Sequence, residues 1–235
     1  MNYLALVQRL HTETGNSGTP PQSVTGNTNL NNQLVIWIKD AWLQIQAERR
    51  WDFMRQTKTV VLTPGTSVYD IAQNLAGIPG FNWPDLGDVD RDNIIVTPPT
   101  ANSSKYRMQF LEFREFSDQF DLAPVRSAYP TSMAIIPNFK MSFYPNPDLA
   151  YSIRFVYYTV PQALIADTDI PYMSDTSATQ DANHMIIVWK ALMYYADHNN
   201  IPDFKQAAAF KYDQILQRLQ WREMPSVDYK TTPVA

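Results

Sequence analysis

The chain has no cysteine and only seven glycines in 235 residues. The first lack removes disulfides and thiolate metal sites together, and makes the cytoplasm, or a particle assembled there, the simplest home. The second leaves little for a glycine-rich phosphate loop. None is present, nor is a GxSxG elbow for a nucleophilic serine. Histidine is equally scarce. His11, His184 and His198 are far apart and none stands in an HExxH frame, so no zinc site is expected. No apolar run approaches the roughly 20 residues of a membrane span. The longest candidate is interrupted by Lys190, and the opening MNYLALVQRLH has neither the basic leader nor the apolar centre of a signal peptide.

Basic charge is also in short supply. The net charge of −4 argues against a protein built to grip nucleic acid, because neutralisation of phosphates by Lys and Arg supplies most of such affinity. The imbalance is local. Up to position 60, six bases face four acids, with Arg49, Arg50, Arg55 and Lys58 clustered; from Asp70 to Asp121, nine acids face four bases. The basic cluster reads as a solvated helix end near its favourable negative pole, or as a contact to an acidic partner. In the acidic run, Asp88, Asp90 and Asp92 begin like a calcium loop. Asn93, however, stands where the sharp-turn glycine belongs, and Pro99 where the bidentate glutamate would be, so a solvated loop is expected.

A hydrophobic share of 45% with 18% charged residues is that of a globular chain able to bury a core. Both ends read as helical. Tyr3, Val7 and Leu10 mark a first helix, ended by the turn-rich GNSGTPPQSVTGNTN. Thr28 or Asn29 can cap a second, running to about Arg50, with Leu34, Trp37, Ile38, Ala41 and Ile45 facing inward. Near the other end, Met185, Trp189, Leu192 and Ala196 trace one face of a helix that stops at Asn199 and Asn200. Pro202 then opens another, with Phe204, Ala208, Tyr212, Ile215 and Leu219 as its stripe. So short a connection makes these last two antiparallel neighbours.

Between the helical ends the period changes to two. TKTVVLTPGTSVYDI reads as two strands around the Pro64-Gly65 turn, and NIIVT as a third. Tyr106, Met108 and Phe110 share a face, as do Phe139, Met141 and Phe143, and Ile153, Phe155 and Tyr157. The last two runs, joined by PNPD, read as a hairpin. Twelve of the 17 prolines fall between Pro64 and Pro171, which keeps strands short. The fold class is therefore α+β: a helical core from the N-terminal helices plus the C-terminal antiparallel pair, with an inserted antiparallel β-rich region. The boundaries are 1–56 for the N-terminal helical part, 57–173 for the insert, 174–222 for the helix pair and 223–235 for an extended tail. Most aromatics sit at helical or strand spacing. Phe81 and Trp83, in PGFNWPDLGD, fit no period and are the ones expected either to meet a neighbouring chain or to pack locally.

This order resembles that of the head-to-tail adaptor (connector) proteins of tailed bacteriophages. The residues that carry the resemblance are MNYLALVQRLHTETG, LVIWIKDAWLQIQAERRWDFM leading into TKTVVLTPGTSVYDI, PNPDLAYSIRFVYYTVPQAL, and the closing HMIIVWKALMYYADHNNIPDFKQAAAFKYDQILQRL. It covers the chain to about Arg222 and rests on order and pattern. It implies a structural virion protein with no catalytic residue and no cofactor, assembling as a homo-oligomeric ring, usually twelve-fold, under the portal. Such a ring joins the DNA-filled capsid to the tail or neck proteins and extends the channel, through which genomic DNA passes without specific binding. It also implies that the C-terminal segment reaches into the portal. There Val227, Tyr229 and Val234 are spaced to serve as anchors, while Phe81, Trp83, Arg49 and Arg50 are candidate subunit or tail contacts. Two other classes fit the composition: another tail or baseplate structural protein, and a glycan-binding or hydrolytic module using the aromatics.

Overall fold

The computed structural model describes residues 1–71, 81–100, 103–173 and 177–223. The protein is α+β. The chain divides into two compact units, one of residues 1–54 and 161–235, the other of residues 55–160.

The first unit is helical. Its helices are α1 (Tyr3–Glu13), α2 (Asn29–Glu48), α4 (Ser177–His198) and α5 (Pro202–Glu223). Asn2 caps α1 by accepting from the Ala5 N–H at 2.9 Å. Tyr3, Val7 and Leu10, the stripe expected from spacing, are buried, and Leu6 is buried beside them. On α2 the residues Leu34, Ile38, Ala41, Trp42 and Ile45 are fully buried, while Trp37 is half-buried and meets Tyr195 edge-on at 6.0 Å. After α2 the chain doubles back, and Trp51 tucks under the last turn, donating from its indole to the Ile45 carbonyl at 2.6 Å. On α4 the core side is wider than one stripe: Ile186, Ile187, Val188 and Ala191 are fully buried beside Leu192 and Ala196. Asn200 ends it with φ 54, and the Ile201 N–H reaches back to the Ala196 carbonyl at 2.9 Å. Pro202 is the first residue of α5, and the ion pair Lys205–Asp197 and the hydrogen bond from Arg218 to Asn183 fix the two helices antiparallel. α4 packs on α1, α2 and α5.

Among the described residues, the second unit holds α3 (Phe113–Phe120) and eleven strands: β1 (Arg55–Val61), β2 (Val68–Asp70), β3 (Leu86–Val89), β4 (Ile95–Thr97), β5 (Tyr106–Arg107), β6 (Gln109–Phe110), β7 (Ser127–Ala128), β8 (Ser132–Ile136), β9 (Lys140–Tyr144), β10 (Asn146–Pro147) and β11 (Ser152–Thr159). The long β11 is the centre of an antiparallel sheet, with β1 along one side and β4 and β3 sharing the other; β5 continues from β4. A second sheet runs β2-β9-β8-β6, antiparallel except for β6 beside β8, and β10 bridges β7 in parallel. Val60, Val96, Ile153 and Phe155 of the first sheet and Tyr69, Met133, Met141 and Phe143 of the second belong to one apolar cluster. On the far side of β8, Ala134 meets Leu111 and Phe116, so α3 covers that face.

Several expectations need correction here. β9 and β11 do not form a hairpin. β9 pairs instead with β8 through a three-residue connection in which Asn138 and Phe139 have φ of 64 and 56, a left-handed pair that suits the twist of a tight hairpin. The Pro64-Gly65 turn is present, with Gly65 at φ 79 and the Thr66 N–H on the Thr63 carbonyl at 3.1 Å. Yet the strands it joins go to different sheets. Tyr106, Met108 and Phe110 do turn to the core, but on two strands rather than one: the chain changes sheets at Met108. Finally, residues 161–173 belong with the helical unit rather than with the β-rich insert.

One glycine is dictated by packing. A methyl group on Gly87 would stand 2.8 Å from the Tyr158 carbonyl oxygen and 3.0 Å from the Thr159 backbone, beside the register shift in the β11–β3 pair. None of these atoms can rotate away. Gly87→Ala should cost about 1 to 3 kcal/mol as overpacking, read as a lower midpoint in urea. An unchanged midpoint would mean that β3 shifts without penalty.

Candidate functional site

The groups that could carry chemistry are dispersed. His11 and His184 are buried on α1 and α4, and His198 is exposed at the end of α4, beside the Trp37 ring at 5.5 Å. Within the acidic run, Asp85 to Asp92, the side-chain contacts of Asp85 and Asp90 are separate. Asp85 accepts from the Tyr157 hydroxyl at 3.0 Å, Asp88 lies in β3, and Asp90 takes Asn93 at 2.6 Å and Arg55 at 3.5 Å. Among the described residues, no three histidines or acids converge where a metal ion could be held. No helix among them is long and apolar enough to cross a membrane.

The expected contact residues fall in three places. Val227, Tyr229 and Val234 lie outside the described residues. Arg49 and Arg50 are exposed just past α2, where the backbone turns extended so that Trp51 can be buried. Trp83 is not at the surface. It is fully buried, 4.6 Å from Tyr157 edge-on and 5.4 Å from Phe155, with the Lys58 ammonium 5.8 Å from its ring. Of its two expected roles, local packing is the one the structure gives. Phe81 is half-buried and stacked on Tyr69 at 4.7 Å. Neither fits a period because both sit in a non-repeating segment that the backbone stitches to the sheet, Phe81 N–H on the Asp70 carbonyl and Trp83 N–H on the Ile71 carbonyl.

Two surfaces went unread in the sequence. The first is the strap 161–173. Its backbone is fastened to α1 and α2: the N–H groups of Tyr3 and Leu4, orphans at a helix start, donate to the carbonyls of Asp169 (2.7 Å) and Asp167 (3.2 Å). The Asp167 carboxylate accepts from the Val24 N–H at 2.6 Å. Buried Gln46 of α2 makes a two-way bridge to Gln162, accepting its N–H at 2.7 Å and donating to its carbonyl at 3.0 Å. Gln162 in turn holds Ile170 and Tyr172 by their backbones, and Asp169 accepts from the N–H groups of Ile165 and Ala166. Those two bonds keep the Asp169 carboxyl below its ordinary range. Leu164 and Met173 are buried, yet Ile165, Ile170 and Tyr172 are 73%, 54% and 57% exposed. Gln46→Ala leaves both Gln162 groups unmatched and should cost about 1 to 3 kcal/mol. Faster hydrogen exchange at Gln162 would be the direct readout, and native protection there would show that the bridge is dispensable.

The second surface lies on α5. Ala208, Tyr212 and Leu219 face the core, but Phe204, Phe210 and Trp221 are exposed. Beside them a cavity of about 120 Å³ opens between Trp189, Leu192, Phe204 and Ala207, with Glu13 and Lys211 at its rim. Lys211 lies 4.0 Å above the Trp189 ring. Below, a polar lock joins three helices: the Tyr212 hydroxyl and the Lys190 ammonium both reach Glu48, at 3.0 and 3.2 Å. Burial, followed by the charge of Glu48, drives the Tyr212 hydroxyl well above its usual range, so it stays a donor. The signal for both surfaces was available: apolar residues beside Pro161 and Pro171 that obey no period, and a phenylalanine, Phe210, off the stripe of its helix.

Among curated proteins none matches the chain. A family model does, from residue 1 to residue 234. Together with the α+β architecture, the scattered titratable groups and the apolar residues displayed on a clamped strap and on α5, this match establishes that the chain belongs to the SU10 adaptor protein family, a family of bacteriophage head-to-tail adaptors.

Proposed function

We propose that the protein forms a ring, twelve-fold by resemblance, under the portal, joining the DNA-filled capsid to the tail and extending the DNA channel. Family membership over residues 1–234 is the observation that carries this reading. Physical features support it. A chain with nine acids against four bases between Asp70 and Asp121 suits a lumen that repels phosphate, so that DNA slides rather than sticks. A helical unit closed by both chain ends suits a subunit that must bear load between neighbours. In this reading the helical unit, residues 1–54 and 161–223, is the ring body, and the β-rich insert, residues 55–160, faces the next component. The tail 223–235 docks in the portal through Val227, Tyr229 and Val234, and exposed Arg49 and Arg50 with half-buried Phe81 contact a subunit or tail protein. No group is assigned to catalysis.

The test is assembly on purified portal. Alone, the protein should scatter light mostly as monomer, because contacts templated by a platform need not suffice without it. Added portal should yield rings visible by electron microscopy. Removing residues 224–235 should leave the thermal midpoint unchanged and weaken portal binding by a hundredfold or more, on the order of 3 kcal/mol. Equal affinity of full-length and truncated protein for the portal would transfer the docking role to the helical unit, and stable rings at low micromolar concentration without portal would contradict templating.

A further inference from the structure

We propose that the strap 161–173 of one subunit inserts Ile165, Ile170 and Tyr172 into the α1–α4–α5 groove of the next copy of this chain. The proposal rests on the ring reading above and names the contact that would build it.

A ring needs a heterologous interface, two different surfaces on each subunit that complement one another. The helical unit carries such a pair at the two ends of one helix. The strap is hydrogen-bonded to the first residues of α1, Tyr3 and Leu4, whereas Glu13, the last residue of α1, lines the groove. With α1 rising 1.5 Å per residue these ends are about 15 Å apart. The two surfaces thus stand at opposite ends of α1 and are available to meet between subunits.

The two faces also match in kind. The strap's exposed apolar side chains stand on a backbone already fixed by Gln46, Gln162 and Asp169, so little conformational entropy remains to be lost on docking. An irregular segment clamped this firmly, yet showing isoleucines and a tyrosine to water, has the composition of an interface anchor. The groove offers an indole, two phenylalanines (Phe204, with Phe210 just beyond) and a cavity of about 120 Å³. Charge is complementary as well. The only charged side chains on the strap are Asp167 and Asp169. At the groove, Glu13 is already matched by Arg9 at 2.6 Å, and Lys211, which makes no ion pair among the described residues, is the cation the strap's acids would meet; Asp203 stands further along, in the cavity that Phe210 lines.

The cysteine-free chain allows a direct test. Ile170→Cys and Ala207→Cys are introduced together into the full-length protein, rings are assembled on portal, and disulfides are formed by mild oxidation. A ladder of covalent multimers of this chain, absent from either single variant, is the expected result. In parallel, Ile170→Asp should lower ring yield at least tenfold with an unchanged thermal midpoint. Rings of normal yield without a ladder would overturn the contact and leave the ring reading standing. A cross-link from Ala207→Cys to the portal would overturn the choice of a second copy as occupant. If the unmodified protein forms no ring on portal, the ring reading and this contact fall together.

Discussion

Replacing Trp42 by alanine should lower the unfolding free energy of the helical unit by about 3 to 5 kcal/mol, the usual loss for a large buried aromatic. Trp42 has no exposed surface and stacks on Phe53 at 5.8 Å, and Phe53 stacks in turn on Trp51. Its removal empties the middle of the α2 stripe between Ile38 and Ile45, at a position where close-packed helices cannot collapse inward. Trp189→Ala should cost less, since that ring already borders the open groove beside Lys211. Trp221→Ala should cost almost nothing, because the residue is 90% exposed. Urea denaturation of the three variants checks the order. Equal midpoints for Trp42→Ala and Trp221→Ala would refute the assignment of Trp42 to the core.

The second large effect belongs to the β-rich unit. Trp83→Ala should remove about 3 to 5 kcal/mol, because its ring fills the space between Tyr157 and Phe155 on the central strand and supports Lys58 from above. Loss of the indole removes the side-chain cover of β11 at Phe155 and Tyr157, on the strand with which β1, β3 and β4 all pair. Phe81→Ala should cost less, roughly 1 to 2 kcal/mol, since Phe81 is only half-buried against Tyr69. Hydrogen exchange of the β11 amides separates the two outcomes. A Trp83→Ala variant with native protection but defective assembly would restore the ring to the role of a subunit contact.

How far these features could be read beforehand depended on whether a local rule governed them. The stop at Asn199 and Asn200 and the restart at Pro202 were legible because left-handed geometry and a fixed φ are properties of single residues. The stripes of α1 and α2 were legible because 3.6-residue periodicity survives in the sequence. β8 was missed because Ser132, Met133 and Ala134 are buried in succession, so no alternation betrays a strand covered on both faces. α3 was missed within a turn-rich stretch, although Phe113, Phe116 and Phe120 have helical spacing over its eight residues. The pairing of β9 with β8 rather than β11 is a choice among partners, and nothing in either strand encodes it alone. The contact surfaces were the least legible. Gln46 looks like an ordinary polar residue on α2 until Gln162 is found against it, 116 positions later.

That distance in sequence has a kinetic side. The apolar stripe of α2 is complete once Glu48 has been synthesised, but α4, which covers it, starts at Ser177. At 5 to 20 residues per second the ribosome needs on the order of 10 s to supply it. The intervening unit can close earlier, as soon as β11 is made, because all its strands lie within 55–160. Nascent chains should thus pass through a stage with a folded insert and an α2 that has α1 but not yet α4 against it, leaving the α4-facing side of its stripe open to chaperones. Non-local closure of this sort slows folding and raises the hazard of aggregation. A virus that makes many copies at once would meet that hazard before any subunit reached its place in the particle.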